Sequence, residues 1–152
     1  MNKQTLKSFA IPALTLIAVF AVSAIAANAQ TSGRVYAQIP FDFIVGDKTL
    51  SAGRYLVSSR MQDRAALLVQ NMKAKEFAIR LTNQVQDRRN RSNTRLVFHR
   101  YGQTYFLAEV WQGGESSGWS LRSSKAEQKL QREQSTIAQN GYETVELIAS
   151  LR

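Results

Sequence analysis

Few side chains in this chain could do chemistry, and their spacing argues mostly against it. His99 is the single histidine and the one group whose ordinary pKa lies near neutrality. Alternation along Leu96-Val-Phe-His-Arg-Tyr101 puts it on a strand face with Val97 and Tyr101, where a local hydrogen-bond partner is expected. A metal site would need further histidines, cysteines or clustered carboxylates. There is no cysteine, and Asp42, Asp47 and Asp63 are well separated, so neither a metal nor a cofactor is expected. Gly114-Glu-Ser-Ser-Gly118 has the G-x-S-x-G form of a nucleophile elbow. In that arrangement the triad histidine follows the serine, whereas His99 precedes Ser116. Glu109 and Glu115 could supply a carboxylate pair for glycoside hydrolysis, but nothing singles them out. No catalytic residue is assigned.

Two groups of residues suit binding instead. Arg88, Arg89, Arg91 and Arg95 fall within eight positions, interleaved with Asn90, Ser92, Asn93 and Thr94. Guanidinium groups hold phosphate and carboxylate in bidentate fashion, so this loop is the candidate contact for an anionic surface. Tyr101, Tyr105, Phe106, Trp111 and Trp119 gather around one hairpin. Such residues can stack on sugar rings or bases. Alternation gives Phe106, Ala108 and Val110 the better core face. It leaves Tyr105 and Trp111 partly outside, as the second candidate.

The elements that must position these residues are read from periodicity. Val35, Ala37, Ile39, Phe41, Phe43 and Val45 take every second position, the pattern of a strand with one buried face. Pro40 cannot donate to a ladder, so an edge position or a break is expected there. Arg54–Ser58, Ala65–Gln70, Glu76–Leu81, Arg95–Tyr101 and Thr104–Gln112 read as further strands. Thr82–Thr94 and Gly113–Gly118 read as loops. Ser124-Lys-Ala-Glu127 has the capping-box form, opening a helix over about 124–138 whose narrow apolar stripe is Ala126, Leu130 and Ile137. Tyr142–Leu151 returns to alternation as a final strand. Short strands with frequent turn signals point to a mostly β domain, a small antiparallel sandwich or barrel-like fold.

Lys3 and Lys7, the apolar stretch Phe9–Ala27 and the small-x-small sequence Ala27-Asn-Ala29 together read as a secretory signal peptide, cleaved after Ala29. The alternative is an uncleaved anchor, since the stretch is about as long as a bilayer requires; only that alternative brings a membrane into contact with the chain. Residues 30–152 then form one domain, of a size that can stabilise its own core. The formal net charge is +9, which favours anionic partners. Export favours acidic polysaccharide or an envelope surface over nucleic acid, and places the protein in the periplasm or medium. Oligomeric state is not legible.

Ile39-Pro-Phe-Asp-Phe-Ile-Val-Gly-Asp-Lys-Thr-Leu-Ser-Ala-Gly-Arg-Tyr-Leu-Val57 resembles the opening of a group of exported bacterial proteins of unknown function. Leu96-Val-Phe-His-Arg-Tyr-Gly102, Tyr105-Phe-Leu107 and Ser123-Ser-Lys-Ala-Glu127 share that resemblance. The one departure is Ser51, where proline would be expected. The resemblance implies bacterial export and a single domain, and carries no activity. The function expected from the sequence is therefore an exported, non-enzymatic protein that binds an anionic component. The alternative is a small secreted hydrolase of acidic polysaccharide or phosphate esters.

Overall fold

The alternation that opens the domain continues through a break. Val35, Ala37 and Ile39 on β1 (Val35–Ile39) and Phe43 and Val45 on β2 (Phe43–Val45) are all buried. Pro40 separates the two strands, so the chain keeps its apolar face while changing partners. β1 pairs with neighbours on both sides and is not an edge. A computed structural model describes residues 33–59, 66–87, 92–135 and 141–151. The expected signal peptide, its cleavage point after Ala29, and Arg88, Arg89 and Arg91 lie outside those residues.

The remaining elements are β3 (Lys48–Leu50), β4 (Gly53–Ser59), β5 (Ala66–Asn71), β6 (Phe77–Gln86), β7 (Arg95–Tyr101), β8 (Thr104–Trp111), β9 (Ser117–Leu121), α1 (Lys125–Ser135), β10 (Glu143–Ile148) and β11 (Ser150–Leu151). The fold is mostly β, with one helix among the described residues. The sheet is ordered β10-β7-β8-β9-β6-β5-β4-β1-β11, and β2 pairs with β3 and, in parallel, with β8. Every other pairing is antiparallel. The sheet is not closed into a barrel.

β6 joins the two halves of this sandwich-like arrangement. Its first half pairs with β5, from Gln70↔Phe77 to Ala66↔Leu81, and its second half pairs with β9, from Thr82↔Leu121 to Gln86↔Ser117. Thr82–Gln86 is therefore strand, where a loop was expected. Its polar side chains hide a role that the backbone fulfils, since a ladder consumes N–H and C=O groups whatever the side chains are. β9 was likewise unexpected. The last stretch of chain reaches both ends of the sheet, with β10 on β7 and β11 on β1. Ala149, between β10 and β11, donates its N–H to the Thr94 carbonyl at 2.8 Å.

Aromatic rings from both halves interlock in the core. Phe43 meets Tyr55 at 5.0 Å and Phe98 at 5.6 Å between centroids, both edge-on, the geometry that ring quadrupoles favour. A bulge opposite Val97/Phe98 reverses the face expected for the start of β8. The register steps from Val97↔Glu109 to Phe98↔Leu107, so Leu107 joins Val110 in the core cluster. Phe106 is buried on the other side, edge-on to Tyr101. Inserting one residue flips every following side chain.

Candidate functional site

His99 does have the local partner expected of it, and that partner comes from the helix. Ser124 is the N-cap: its Oγ accepts the Glu127 N–H at 3.2 Å and its carbonyl accepts the Gln128 N–H at 2.9 Å. The Glu127 side chain then turns to the sheet, where Oε1 accepts from His99 Nδ1 at 2.8 Å. It also hydrogen-bonds the Tyr101 hydroxyl. Tyr142 stacks on the imidazole at 4.0 Å. Burial above all, then the Glu127 charge, pushes the Tyr101 phenol well above its ordinary range.

A histidine oriented by a buried carboxylate is two-thirds of a triad. Ser116 is not its third member, because it lies beyond Trp111 at the far end of β8 while His99 pairs with Phe106 near the start. Five residue steps along β8 separate Phe106 from Trp111, roughly 16 Å. Gly118, the last residue of the G-x-S-x-G pattern, has a packing role. A Cβ there would stand 2.5 Å from the Trp111 ring, so the tryptophan lies against bare backbone.

Trp111 is buried, at 5% exposure, rather than partly outside. The Arg95 guanidinium is 4.8 Å from its ring, and its Nε1 donates to Glu109 Oε2 at 2.7 Å. Tyr105 is half-buried and stacks on Phe41 at 3.9 Å, with the Arg100 guanidinium 5.7 Å from its ring. Neither ring offers a pair of open faces. Arg95 begins β7 and is buried as well. It pairs with Asp87 at 3.1 Å and, through Nε, with Glu146 at 3.9 Å. It does not share an open basic loop.

A second polar cluster ties the turns at the other end of the sheet. Tyr55 donates its hydroxyl to the Ser51 carbonyl at 2.7 Å and accepts from Asn71 Nδ2 at 3.2 Å. Glu76 holds Ser51 through Oγ at 3.1 Å and through N–H at 3.3 Å. Asp42 accepts the Ala52 N–H at 2.7 Å. Burial, then the nearby Glu76 and Asp42 charges, raises the Tyr55 phenol against the opposing Asn71 bond.

What sequence reasoning missed is the outer face of β6. Phe77, Ile79 and Leu81 are exposed there. One hollow beside the row, of 390 Å³, is lined by Lys48, Asp47, Phe77 and Arg80, and a second, of 520 Å³, by Ile79, Leu81, Arg80 and Arg122. Both volumes fall in the range of small-molecule sites. The period-two signal was present in the sequence, without any sign that its apolar set points outward. Among the described residues no group of three or more His, Asp or Glu could hold a metal. Also among them, no helix is long and apolar enough to cross a membrane.

The fold and its surface define a β-rich, sandwich-like domain with a hydrogen-bonded histidine cluster and an exposed apolar row on β6. No family model matches the chain, and no curated protein or solved structure does.

Proposed function

We propose that the chain is an exported, non-enzymatic protein that binds an anionic component of the cell envelope or its surroundings. One observation carries this reading. The groups with catalytic chemistry, His99 with Glu127 and Tyr55 with Glu76, are bonded into packing clusters. By contrast Lys48, Lys73, Lys75 and Arg122 are exposed and make no ion pair among the described residues. Cations left free at a surface attract anions over distances set by ionic strength. The apolar N-terminal stretch and the resemblance to exported bacterial proteins support the compartment.

The test is chromatography on an immobilised sulfated polysaccharide, with neutral dextran as control. Retention that salt abolishes is expected, and R88Q/R89Q/R91Q elutes earlier if the arginine loop contributes. Arg95 is kept, because its replacement would disturb the fold. Equal behaviour of the protein on charged and neutral matrices would sink the proposal.

A further inference from the structure

We infer that the outer face of β6 is a membrane-docking surface that seats on a leaflet of anionic lipid headgroups. This deepens the reading above and rests on it, by naming the anionic component as a lipid surface. The observation is an inversion. In a half-buried strand the more apolar face belongs inside, and a slip of one residue would put it there. β6 does the reverse: Ala78 is in the core, while Phe77, Ile79 and Leu81 are 50%, 56% and 69% exposed.

The register is fixed by Val69↔Ala78 and Leu68↔Ile79 within the β5 ladder, and Val69 is fully buried. The inversion is thus built in, and folding gains nothing from three large apolar side chains in water. Met72, half exposed in the β5–β6 turn, adds a fourth. The row from Phe77 to Leu81 runs about 13 Å along the strand. Contiguous apolar side chains with a polar rim mark an interaction site.

The rim supplies the sign of the partner. The Lys48 ammonium stands 4.9 Å from the Phe77 ring centroid. Lys73 and Lys75 are exposed in the turn beside Met72, and Arg122 lines the same hollow as Leu81. The acids nearby are engaged: Asp47 pairs with Arg80 at 3.5 Å, and Glu76 holds Ser51. Apolar side chains that enter the headgroup boundary and lysines or arginines that meet anionic lipid act together in interfacial binding. A polysaccharide would engage the cations and leave the apolar row in water.

The chain has no cysteine, so single cysteines can carry an environment-sensitive fluorophore. L81C places it in the row, and T144C places it on exposed β10 as control. Vesicles of phosphatidylcholine, alone or mixed with phosphatidylglycerol, are added to the protein in the form recovered from cells. The label at 81 is expected to shift to the blue and become shielded from iodide with the anionic vesicles, and the label at 144 to stay accessible. K48Q/K73Q/K75Q/R122Q lowers partitioning about tenfold or more. A label at 81 that stays water-accessible overturns the inference, even where an N-terminal anchor carries the protein to the vesicle. Equal shielding at 81 and 144 overturns it too. Failure here with salt-sensitive retention on sulfated polysaccharide leaves the proposed function standing; failure of both removes both.

Discussion

Replacing Glu127 by alanine isolates what holds α1 to the sheet. The helix has almost no apolar contact face: Ala126 is exposed, Leu130 is half-buried, and Glu127 is the buried residue of its first turn. Its carboxylate bonds His99 and Tyr101. A hydrogen bond to a charged group contributes about 1.5–3 kcal/mol, and a buried group left without a partner costs about 1–3 kcal/mol. Tyr101 is 3% exposed and bears the full penalty. The His99 side chain is 22% exposed and can turn to water, which places its share at the low end. The loss is therefore about 2–4 kcal/mol.

That loss should fall on the helix alone. An eleven-residue helix is marginal without tertiary contacts, so α1 melts in place while the sheet keeps its ladders, as local unfolding units do. Hydrogen exchange read by mass spectrometry is the assay. Protection of residues 125–135 should drop roughly 30-fold to 1,000-fold, at about tenfold per 1.4 kcal/mol, with β4 and β5 unchanged. E127Q keeps size and an acceptor oxygen and should recover part of the protection. L130A, at a half-buried site, should cost about 1 kcal/mol. Undiminished protection of α1 in E127A would refute the reasoning, and so would exchange that accelerates equally throughout the sheet.

Gly118→Ala must displace the Trp111 ring and should lower stability by about 1–3 kcal/mol, visible as a lower urea midpoint; an unchanged midpoint would show that the ring has room. Arg95→Gln removes a buried cation from Asp87 and Glu146, both partly solvated. It should cost about 1–3 kcal/mol, and R95K should recover little, since an ammonium cannot meet both carboxylates while lying flat on the Trp111 ring. The raised phenols of Tyr55 and Tyr101 keep their protons when unfolded tyrosines, near 10, have lost theirs. Above about pH 10 the folded state binds more protons, so stability falls as pH rises and is fully present below that window. Tyrosinate absorbance should show two of the five tyrosines titrating at higher pH than the other three, and Y55F should reduce them to one.

Much of the fold was legible because it depends on local rules. The break at Pro40, the left-handed glycines at the β2–β3 and β7–β8 turns (Gly46 at φ +66°, Gly102 at φ +60°) and the Ser124 cap follow from single residues. What stayed hidden depends on partners distant in sequence. Gly113–Gly118 reads as a loop that hides the start of β9, because Gly118 must be bare to admit Trp111. The bulge opposite Val97/Phe98 cannot be read from β8 alone, so Leu107 and Phe106 exchanged faces. Arg95 looked like part of a basic loop because its carboxylate partners lie eight and 51 positions away.

The segments that resemble exported bacterial proteins are largely taken up with holding the fold. Within Ile39–Val57, Asp42 anchors Ala52, and Tyr55 anchors Ser51. Ser51, where proline was expected, uses both its N–H and its hydroxyl on Glu76, two bonds that proline could not make. Within Leu96–Gly102 and Ser123–Glu127 the central feature is the His99–Glu127 bond. A motif that closes on itself in this way specifies architecture and leaves little over for a ligand. Residues that folding does not use must then be sought elsewhere. Met72, Lys73, Lys75, Phe77, Ile79, Leu81 and Arg122 all lie outside those segments, and of the docking face only Lys48 falls within one. On that division of labour, exchanging the outward residues of β6 alters what the protein meets while leaving its stability nearly unchanged, whereas exchanging Tyr55 or Glu127 does the opposite.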